Sequence, residues 1–264
     1  MPRRMLVTIL LAVVVVATVS TVAGVTAPSS SDTSGATTRR RPPTSASTST
    51  TTTTTLPSLV QGAPPGPVIG TDGTAPVVSR VPTTDNVIFL GIDDGLHRDP
   101  AVVELLLREK VPVTLFLARD PAGDGRSYFR ELVDAGLATV ESHTKSHESV
   151  RGMPYSVQQD EVCATLDEFT EWFGRRPTLF RPPYGEWDAT TRQAAASCGL
   201  RAVVMWQGAT NDGRLDIVGG HFFPGDVLLL HFRPDLAENL QLVIDRARAE
   251  GFKIGRLVDY VGGP

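Results

Sequence analysis

The amino-acid sequence predicts an α/β fold, a distorted or incomplete (β/α) barrel, over residues 86–264. Short apolar runs rich in β-branched residues alternate with helical patterns, and seven such runs fall within roughly 180 residues. Alternating strands and helices imply parallel pairing with right-handed crossovers. Because a full barrel usually takes about 250 residues, an incomplete one is expected here. An open doubly wound sheet is the alternative.

Each predicted strand is an apolar run bounded by polar or turn residues. In chain order the strands are residues 86–92, 113–117, 137–141, 178–180, 202–205, 226–230 and 252–257.

The predicted helices between these strands begin at capping signals or end at glycines. Asp99 followed by Pro100 begins the first helix, and the second covers about 128–135. Asp188 begins the fourth helix, which ends at Gly199. Capping boxes are predicted for the third and fifth helices, 156–173 and 235–251, by Ser156 with Gln159 and by Asp235 with Glu238.

Residues 1–27 are predicted to be a signal peptide or an N-terminal membrane anchor. Arg3 and Arg4 precede an apolar run, and Val25-Thr26-Ala27 offers a small-residue cleavage site. The run is about long enough to span a bilayer, so both alternatives are open. Either one predicts an exported protein of the cell envelope or the extracellular space, secreted or anchored at its N-terminus.

Residues 28–85 are predicted to be a Ser/Thr/Pro/Gly-rich linker. The first half is dominated by Ser, Thr and Pro, with an unbroken run of threonines at 50–55. Such a composition buries too little apolar surface to offset the entropy of ordering, so disorder is expected. The second half, 62–81, is rich in Pro and Gly and is either linker or a strap on the domain.

The charge of the chain argues against nucleic acid as a partner. The whole chain has a net charge of −4, and residues 1–41 carry +4, so the remainder carries −8. Nucleic-acid-binding domains are typically basic. An acidic domain suits a neutral or amine-bearing substrate, or serves solubility. We expect a monomer.

The two cysteines, Cys163 and Cys198, both lie in the predicted exported part. An oxidising compartment permits a disulfide between them, and two free buried thiols are the alternative. A metal role is disfavoured because neither belongs to a CxxC pair.

Polar or aromatic residues follow several predicted strands, at the edge where parallel α/β folds build their sites. They are Asp93, Asp94, His143, Arg181, Trp206 and His231. If the segment after the third strand is helical, the spacing of His143 and His147 places both imidazoles on one face, able to share a metal. Asp94 or Asp93 would complete a set of two His and one carboxylate, which leaves positions open for water and substrate.

Taken together, the motifs resemble those of the polysaccharide deacetylases, carbohydrate esterase family 4 (NodB-like). The resemblance covers residues 86–263 and rests on four segments in family order. These are Gly91-Ile92-Asp93-Asp94-Gly95, His143-Thr144-Lys145-Ser146-His147, Arg181-Pro182-Pro183-Tyr184-Gly185 and Leu228-Leu229-Leu230-His231.

The resemblance implies a partial (β/α) barrel that hydrolyses N- or O-acetyl groups on a glycan. It implies a divalent metal, zinc first and cobalt, nickel or manganese as alternatives, held by Asp94, His143 and His147. Asp93 would be the general base and His231 the general acid. The remaining implied roles are orientation of Asp93 by Arg181 and an oxyanion donor in the backbone N–H of Tyr184. Substrate contacts are expected from Pro183, Trp206 and Asp212, with plain core as the alternative for Trp206.

Two departures from the family pattern stand out. Ile92 replaces the usual Phe before the Asp pair. The family's fourth motif falls between the third and the last of these segments, and here alignment from Trp206 places Ala209 where the family has an aspartate that partners the arginine, and Gly213 at the last Trp. Trp206 and Asp212 match the family pattern. Arg181 therefore either lacks its partner or borrows Asp212.

The sequence thus predicts a metal-dependent hydrolase that removes acetyl groups from a cell-envelope polysaccharide, such as peptidoglycan or another N-acetylglucosamine polymer. The alternative is a catalytically weakened barrel that binds wall glycan without turnover, and the altered fourth motif is the feature that favours it.

Overall fold

The computed structural model describes residue 70 and residues 72–261. The segment predicted as signal peptide or anchor, residues 1–27, lies outside them, as does most of the predicted linker 28–85. In the described part, ten strands form one sheet. They are β1 (Val77–Val78), β2 (Val87–Asp94), β3 (Val113–Leu117), β4 (Ala138–Ser142), β5 (Leu179–Phe180), β6 (Ala202–Val204), β7 (Gly208–Asn211), β8 (Arg214–Ile217), β9 (Val227–His231) and β10 (Lys253–Gly255).

Six α-helices connect these strands in the same part of the chain: α1 (Pro100–Glu109), α2 (Arg119–Ala122), α3 (Arg126–Asp134), α4 (Tyr155–Phe173), α5 (Ala189–Ser197) and α6 (Leu236–Ala249). Short 3₁₀ turns cover Gly123–Gly125, Pro183–Gly185 and Leu257–Asp259. None of the helices described has the length and hydropathy needed to cross a membrane.

The strands follow the order β1-β6-β5-β4-β3-β2-β9-β7-β8, and β10 pairs with the start of β2. All strand pairs are parallel except the β7–β8 hairpin. The end strands β1 and β8 do not pair with each other, so the curled sheet is an incomplete barrel. The predicted fold class is confirmed.

The two faces of the sheet pack into different cores, and β2 shows how they are separated. Ile88, Leu90 and Ile92 pack against the helices on the outer face. Val87 and Phe89 pack against residues from other strands inside the curl. Successive side chains of a strand point to opposite faces, so Asp93 continues the inner row. The alternation that builds the core therefore also directs Asp93 into the barrel.

Two of the helix starts agree with the capping signals in the sequence. Asp99 accepts a hydrogen bond from the Ala101 amide at 2.9 Å at the start of α1. Asp188 and Thr191 form a reciprocal capping box at the start of α5. Each helix obtains an acceptor for an N–H group that has no partner within the helix.

The two capping boxes predicted from the sequence, Ser156 with Gln159 and Asp235 with Glu238, were wrong. Helix α4 begins at Tyr155, directly after Pro154, and has no side-chain cap. Asp235 precedes α6, but its carboxylate accepts from the amide of Asp212 and the side chain of Asn239 instead of from the first turn. At Asp235 a neighbouring segment, the β7–β8 turn, thus competes successfully for the polar side chain.

The β7–β8 hairpin was missed by the sequence analysis. Its strands are short and largely polar, and only β7 pairs with the rest of the sheet. Asp212 and Gly213 form the turn with φ of 50° and 69°. An Asp-Gly pair with both φ values positive is typical of a two-residue hairpin. This Asp-Gly dipeptide is the feature of the sequence that could have predicted the hairpin.

The described part of the segment before Asn86 is a strap on the domain. Strand β1 lies parallel to β6 at one edge of the sheet. The chain then crosses to the start of β9, where Arg80 forms an ion pair with Asp226 at 2.6 Å and the Val81 amide donates to the Gly225 carbonyl. Of the alternatives left open for residues 62–81, the strap is the one observed in the described part of that range.

Removal of this strap is expected to destabilise the domain strongly. A chain that begins at Asn86 exposes the core that Val78 and Val81 cover and leaves the buried carboxylate of Asp226 without its cation. We expect a loss of about 4 kcal/mol or more in the free energy of unfolding. Urea unfolding of chains that begin at Gly70 and at Asn86 measures it. Equal midpoints for the two chains would contradict a structural role for the strap.

Cys163 and Cys198 form a disulfide, with their Cα atoms 5.4 Å apart. This settles the alternative that the sequence left open. The bond joins α4 to the residue that caps the end of α5. Closure of a loop with a sequence separation of 35 is worth about 3–4 kcal/mol through its effect on the unfolded chain.

Candidate active site

The carboxyl edge of the sheet brings together most of the predicted site residues. Asp93 of β2 pairs in register with His231 of β9. Asp94 and His143 approach each other from β2 and the end of β4, and Arg181 follows β5. Residues that are far apart in sequence thus meet because parallel strands end at one edge.

Asp94, His143 and His147 form a compact group of potential metal ligands. Asp94 Oδ1 lies 2.9 Å from His147 Nε2 and 3.4 Å from His143 Nε2. One ligand atom from each of the three residues falls within 4.8 Å of the others. Two imidazoles and one carboxylate at such spacing match the ligand set of a catalytic divalent metal site.

The hydrogen bonds around the group fit a metal rather than a self-contained polar cluster. His143 Nδ1 lies 2.7 Å from the Arg181 carbonyl, which can only accept, so Nδ1 carries the proton and Nε2 presents a lone pair. Asp94 Oδ1 is buried and accepts no well-formed hydrogen bond. The lone pairs of His143 Nε2 and Asp94 Oδ1 therefore lie close together, on atoms 3.4 Å apart, where a cation would compensate them.

The side chains of this group shift one another's pKa values. Burial opposes ionisation of Asp94, but the imidazoles of His143 and His147 outweigh it and hold the pKa of Asp94 below its usual range. The same contact with Asp94 raises the pKa of His147. The carboxyl group is thus ionised at neutral pH, as a ligand to a cation requires.

The backbone at this site is unusual. Six non-glycine residues of the described part have positive φ, and four of them lie here: Asp94, Thr144, His147 and Tyr184. Left-handed conformations of such residues are costly and concentrate at functional sites. At Asp94 the chain leaves the regular strand, which directs its carboxylate over the sheet edge while Asp93 stays in the inner row.

The helical arrangement considered for His143 and His147 was wrong. No helix covers residues 143–150, and the two imidazoles converge because the chain turns tightly between them. Thr144 Oγ1 accepts from the His147 amide at 3.0 Å and closes this turn. The spacing of four is right for a shared site, but a loop produces it.

Glu161 holds this loop, a role that was not predicted from the sequence. Its carboxylate on α4 accepts hydrogen bonds from the amides of Lys145 and Ser146 at 3.1 and 3.0 Å. These two amides lie between the histidines. Nothing in a helical Glu surrounded by other polar residues distinguishes it in sequence, so only the structure reveals its role.

Asp93 and Arg181 form a buried ion pair. Asp93 is 2% exposed and Arg181 is 0% exposed, and Nη1 lies 2.7 Å from Asp93 Oδ1. Burial lowers the pKa of Arg181, and the charge of Asp93 opposes this effect. The guanidinium stacks 4.2 Å from the ring centre of Phe116 and lies against Gly91, where a Cβ atom would be 2.5 Å from Nη1. Only glycine at 91 leaves room for this arrangement.

The second amino group of Arg181 has no partner among the described residues. Asp212 does not supply one, because it lies in the exposed β7–β8 turn and bonds there to Asn211. Ala209 lies level with Gly91, since Leu229 pairs with both. Residues at one level of adjacent strands point to the same face. Ala209 therefore points to the same face of the sheet as Gly91, against which the guanidinium lies, and it carries no acidic group.

A buried carboxylate holds the strand that precedes Arg181. Strand β5 has only two residues, and Glu141 accepts from the amides of Thr178 and Leu179, both at 2.7 Å. Arg175 donates to the same carboxylate at 2.6 Å. Because the Arg181 carbonyl also fixes the ring of His143, Glu141 supports both halves of the site. This role of Glu141 was not predicted from the sequence either.

The loop after Arg181 forms an exposed rim. Tyr184 is 67% exposed, and its ring centre lies 5.0 Å from that of His147. Its amide donates no hydrogen bond to any described residue. Pro183 is buried beneath it, and half-buried Trp206 packs against Gly185 and lies 5.8 Å from the Arg181 guanidinium. Trp206 thus forms a wall beside the ion pair.

His231 completes the edge. It is half-buried beside Asp93, and burial lowers its pKa, against the raising effect of the charges of Asp93 and Asp94. The following amide, that of Phe232, donates to the Asp93 carbonyl at 3.1 Å. Strands β3 and β9 flank β2 on its two sides, so His231 approaches Asp93 from the side opposite β3.

Comparisons with known proteins agree with this geometry. The sequence matches the family model described as polysaccharide deacetylase over residues 80–203. An uncharacterized protein of Streptomyces coelicolor is 38% identical over 195 residues, which cover 70% of this chain and 77% of that protein. A peptidoglycan-N-acetylglucosamine deacetylase of Bacillus cereus is 26% identical over 155 residues, 56% of each chain. The chain thus spans just over half the length of that enzyme.

The fold also has solved counterparts. A family 4 carbohydrate esterase pseudoenzyme from Bacillus anthracis superposes with a TM-score of 0.62 at 20% identity, over 71% of this chain and 69% of that one. At this identity the likeness concerns the fold, and it supports the same type of curled, incomplete barrel.

Proposed function

The chain belongs to the polysaccharide deacetylase family, and on that basis we propose that it is a metal-dependent hydrolase that removes acetyl groups from a cell-envelope polysaccharide. It would act on carbon–nitrogen bonds other than peptide bonds when the acetyl group is N-linked. Peptidoglycan, or another polymer of N-acetylglucosamine, is the substrate that we propose first. The Bacillus cereus relative, named as a peptidoglycan deacetylase, supports this choice.

One observation carries the proposal: two adjacent carboxylates have different partners. Asp94 faces His143 and His147, whereas Asp93 faces Arg181. A hydrolase needs one carboxylate as a ligand and another free to take a proton from water. The different partners of Asp94 and Asp93 suit these two roles, a ligand and a proton acceptor.

A divalent metal at Asp94, His143 and His147, zinc by first choice, would polarise the acetyl carbonyl and lower the pKa of a water molecule. In our proposal Asp93 accepts the proton of the attacking water, and Arg181 keeps its carboxylate in place. The free amide of Tyr184 donates to the oxyanion. His231 then donates a proton to the departing nitrogen, which is a poor leaving group without it.

We also propose that the protein acts outside the cytoplasm as a monomer, secreted or anchored through residues 1–27. The apolar run behind Arg3 and Arg4 supports export. The Cys163–Cys198 disulfide supports an oxidising compartment.

A glycan-binding barrel without turnover is the second candidate. The unpartnered amino group of Arg181 and the alanine at position 209 favour it. The retained set of Asp93, Asp94 and both histidines favours the enzyme, since a binding module has no need for them.

Acetate release decides between the two candidates. The full chain, incubated with a panel of acetylated glycans, is expected to release acetate, and chelation is expected to reduce release to background. His147→Ala should lose metal, measured by elemental analysis, together with activity. His221→Ala is the matched control, because that exposed histidine contacts Phe223 and lies outside the site. Glycan retention without acetate release by the metal-loaded chain would support the binding module.

A further inference from the structure

Arg233 lies at the edge of the candidate active site, two residues after His231. Its amide donates to the His231 carbonyl at 2.8 Å, and the intervening Phe232 amide donates to the Asp93 carbonyl. The loop is thus folded tightly over the end of β9. The Arg233 side chain is exposed and remains close enough for its charge to lower the pKa of His231, in addition to the larger effect of burial.

No carboxylate of the described residues forms an ion pair with Arg233, although the domain is acidic and most of its arginines are paired. Its one side-chain bond is from Nη1 to Oδ1 of Asn211, at 3.1 Å. An amide oxygen orients the guanidinium without neutralising it. The rest of the planar donor set therefore remains available, with its full charge, beside the site.

The β7–β8 hairpin provides this orientation. Asn211 ends β7, and the turn after it is fixed to the start of α6: the Asp212 amide donates to Asp235 and the Gly213 amide to Asn239, both at 3.1 Å. The hairpin thus supplies a neutral amide oxygen to Arg233.

We propose that Arg233 is a binding subsite for a carboxylate on the glycan, carried by a sugar next to the one whose acetyl group is removed. The inference rests on the proposed function and names its substrate class as acidic glycans. A guanidinium is suited to this role, because its parallel N–H groups match the two oxygens of a carboxylate. The unpaired charge, the fixed orientation and the position beside His231 together carry the inference.

The test compares one acetylated oligosaccharide in two forms, with free carboxylates and with the same carboxylates converted to methyl amides. A lactyl ether on a hexosamine and a hexuronic acid are the two carriers of such a carboxylate, and each is tested as a separate oligosaccharide. The wild-type chain is expected to prefer the free acid by about tenfold or more in kcat/KM, mainly through KM, as a charge-assisted hydrogen bond implies.

Arg233→Gln is expected to abolish this preference, so that kcat/KM on the acid form falls by about tenfold more than kcat/KM on the amide form. Arg214→Gln is the matched control, because Arg214 is exposed, forms no ion pair within the described part and lies on the outer strand of the same hairpin. It should retain the preference. Equal use of both forms by the wild type, or an equal loss on both forms in Arg233→Gln, would overturn the subsite.

Binding measurements separate this result from a failure of the proposed function. If the metal-loaded chain releases no acetate from either form, the proposed function fails. The dissociation constants of the acid and amide forms, measured by calorimetry for the wild type and Arg233→Gln, then decide the subsite alone. A preference for the acid that disappears in the variant supports it, and equal constants reject it.

Discussion

Replacement of Asp93 by Asn is expected to slow acetate release by about 10²–10⁴-fold, the usual contribution of a positioned acid or base. Asn keeps the size of the side chain and an oxygen that can accept from Arg181, but it cannot take a proton from water. The loss should appear in kcat rather than KM, because the proton transfer occurs in the transition state. Metal content should be unchanged, since the proposed ligands are Asp94 and the two histidines.

The structure adds a second expected effect of Asp93→Asn. Arg181 is fully buried and would lose its counter-charge, which costs about 3 kcal/mol in the free energy of unfolding. Activity must therefore be compared at a temperature where the variant is folded. Asp216→Asn, an exposed change on β8, is the matched control. If folded, metal-loaded Asp93→Asn retained wild-type kcat, another group would have to be the base.

Replacement of Arg181 by Met is expected to cost about 3–5 kcal/mol in the free energy of unfolding, because the buried carboxylate of Asp93 then lacks its cation. Activity should also fall sharply, since nothing else described orients Asp93. Metal affinity should change little, because the group that fixes the ring of His143 is the backbone carbonyl of Arg181. Loss of metal in this variant would contradict that separation of roles.

A double-mutant cycle with Asp93→Asn isolates the ion pair. The double variant should be more stable than the sum of the two single losses implies, with a coupling energy of about 1–3 kcal/mol, but equally inactive. The exposed pair of Arg130 and Asp134 provides a matched cycle, for which about 0.3–0.5 kcal/mol is expected. Equal coupling energies in the two cycles, measured by urea unfolding, would show that burial does not strengthen the ion pair of Asp93 and Arg181.

The fold could be predicted because its core depends on simple periodicities. The runs at β2, β3 and β9 are buried on both faces, and such runs are visible without a structure. The β7–β8 hairpin was missed because its strands alternate weakly and its outer strand is largely solvent-facing. Local signals failed where a neighbouring segment took the polar group, as Asp235 shows with the Asp212 amide.

The site could be predicted as a set of residues but not as a geometry. The order of the motifs placed Asp93, Asp94 and the histidines at one edge, and the structure brings them together. The turn between His143 and His147 depends on left-handed residues that no spacing rule anticipates. Glu141 and Glu161 act through backbone amides of other segments, so their roles arise only from tertiary contacts.

The absence of a side chain at Gly91 has a consequence for how sequences of this fold diverge. A guanidinium and a Cβ atom cannot share this space, so a lineage that gains any side chain at 91 must displace Arg181, and one that loses Arg181 opens a void there. The two positions should therefore be inherited together. Covariation between them, surveyed across many sequences, would identify the barrels that retain the buried pair even where position 209, as here, carries no acidic side chain.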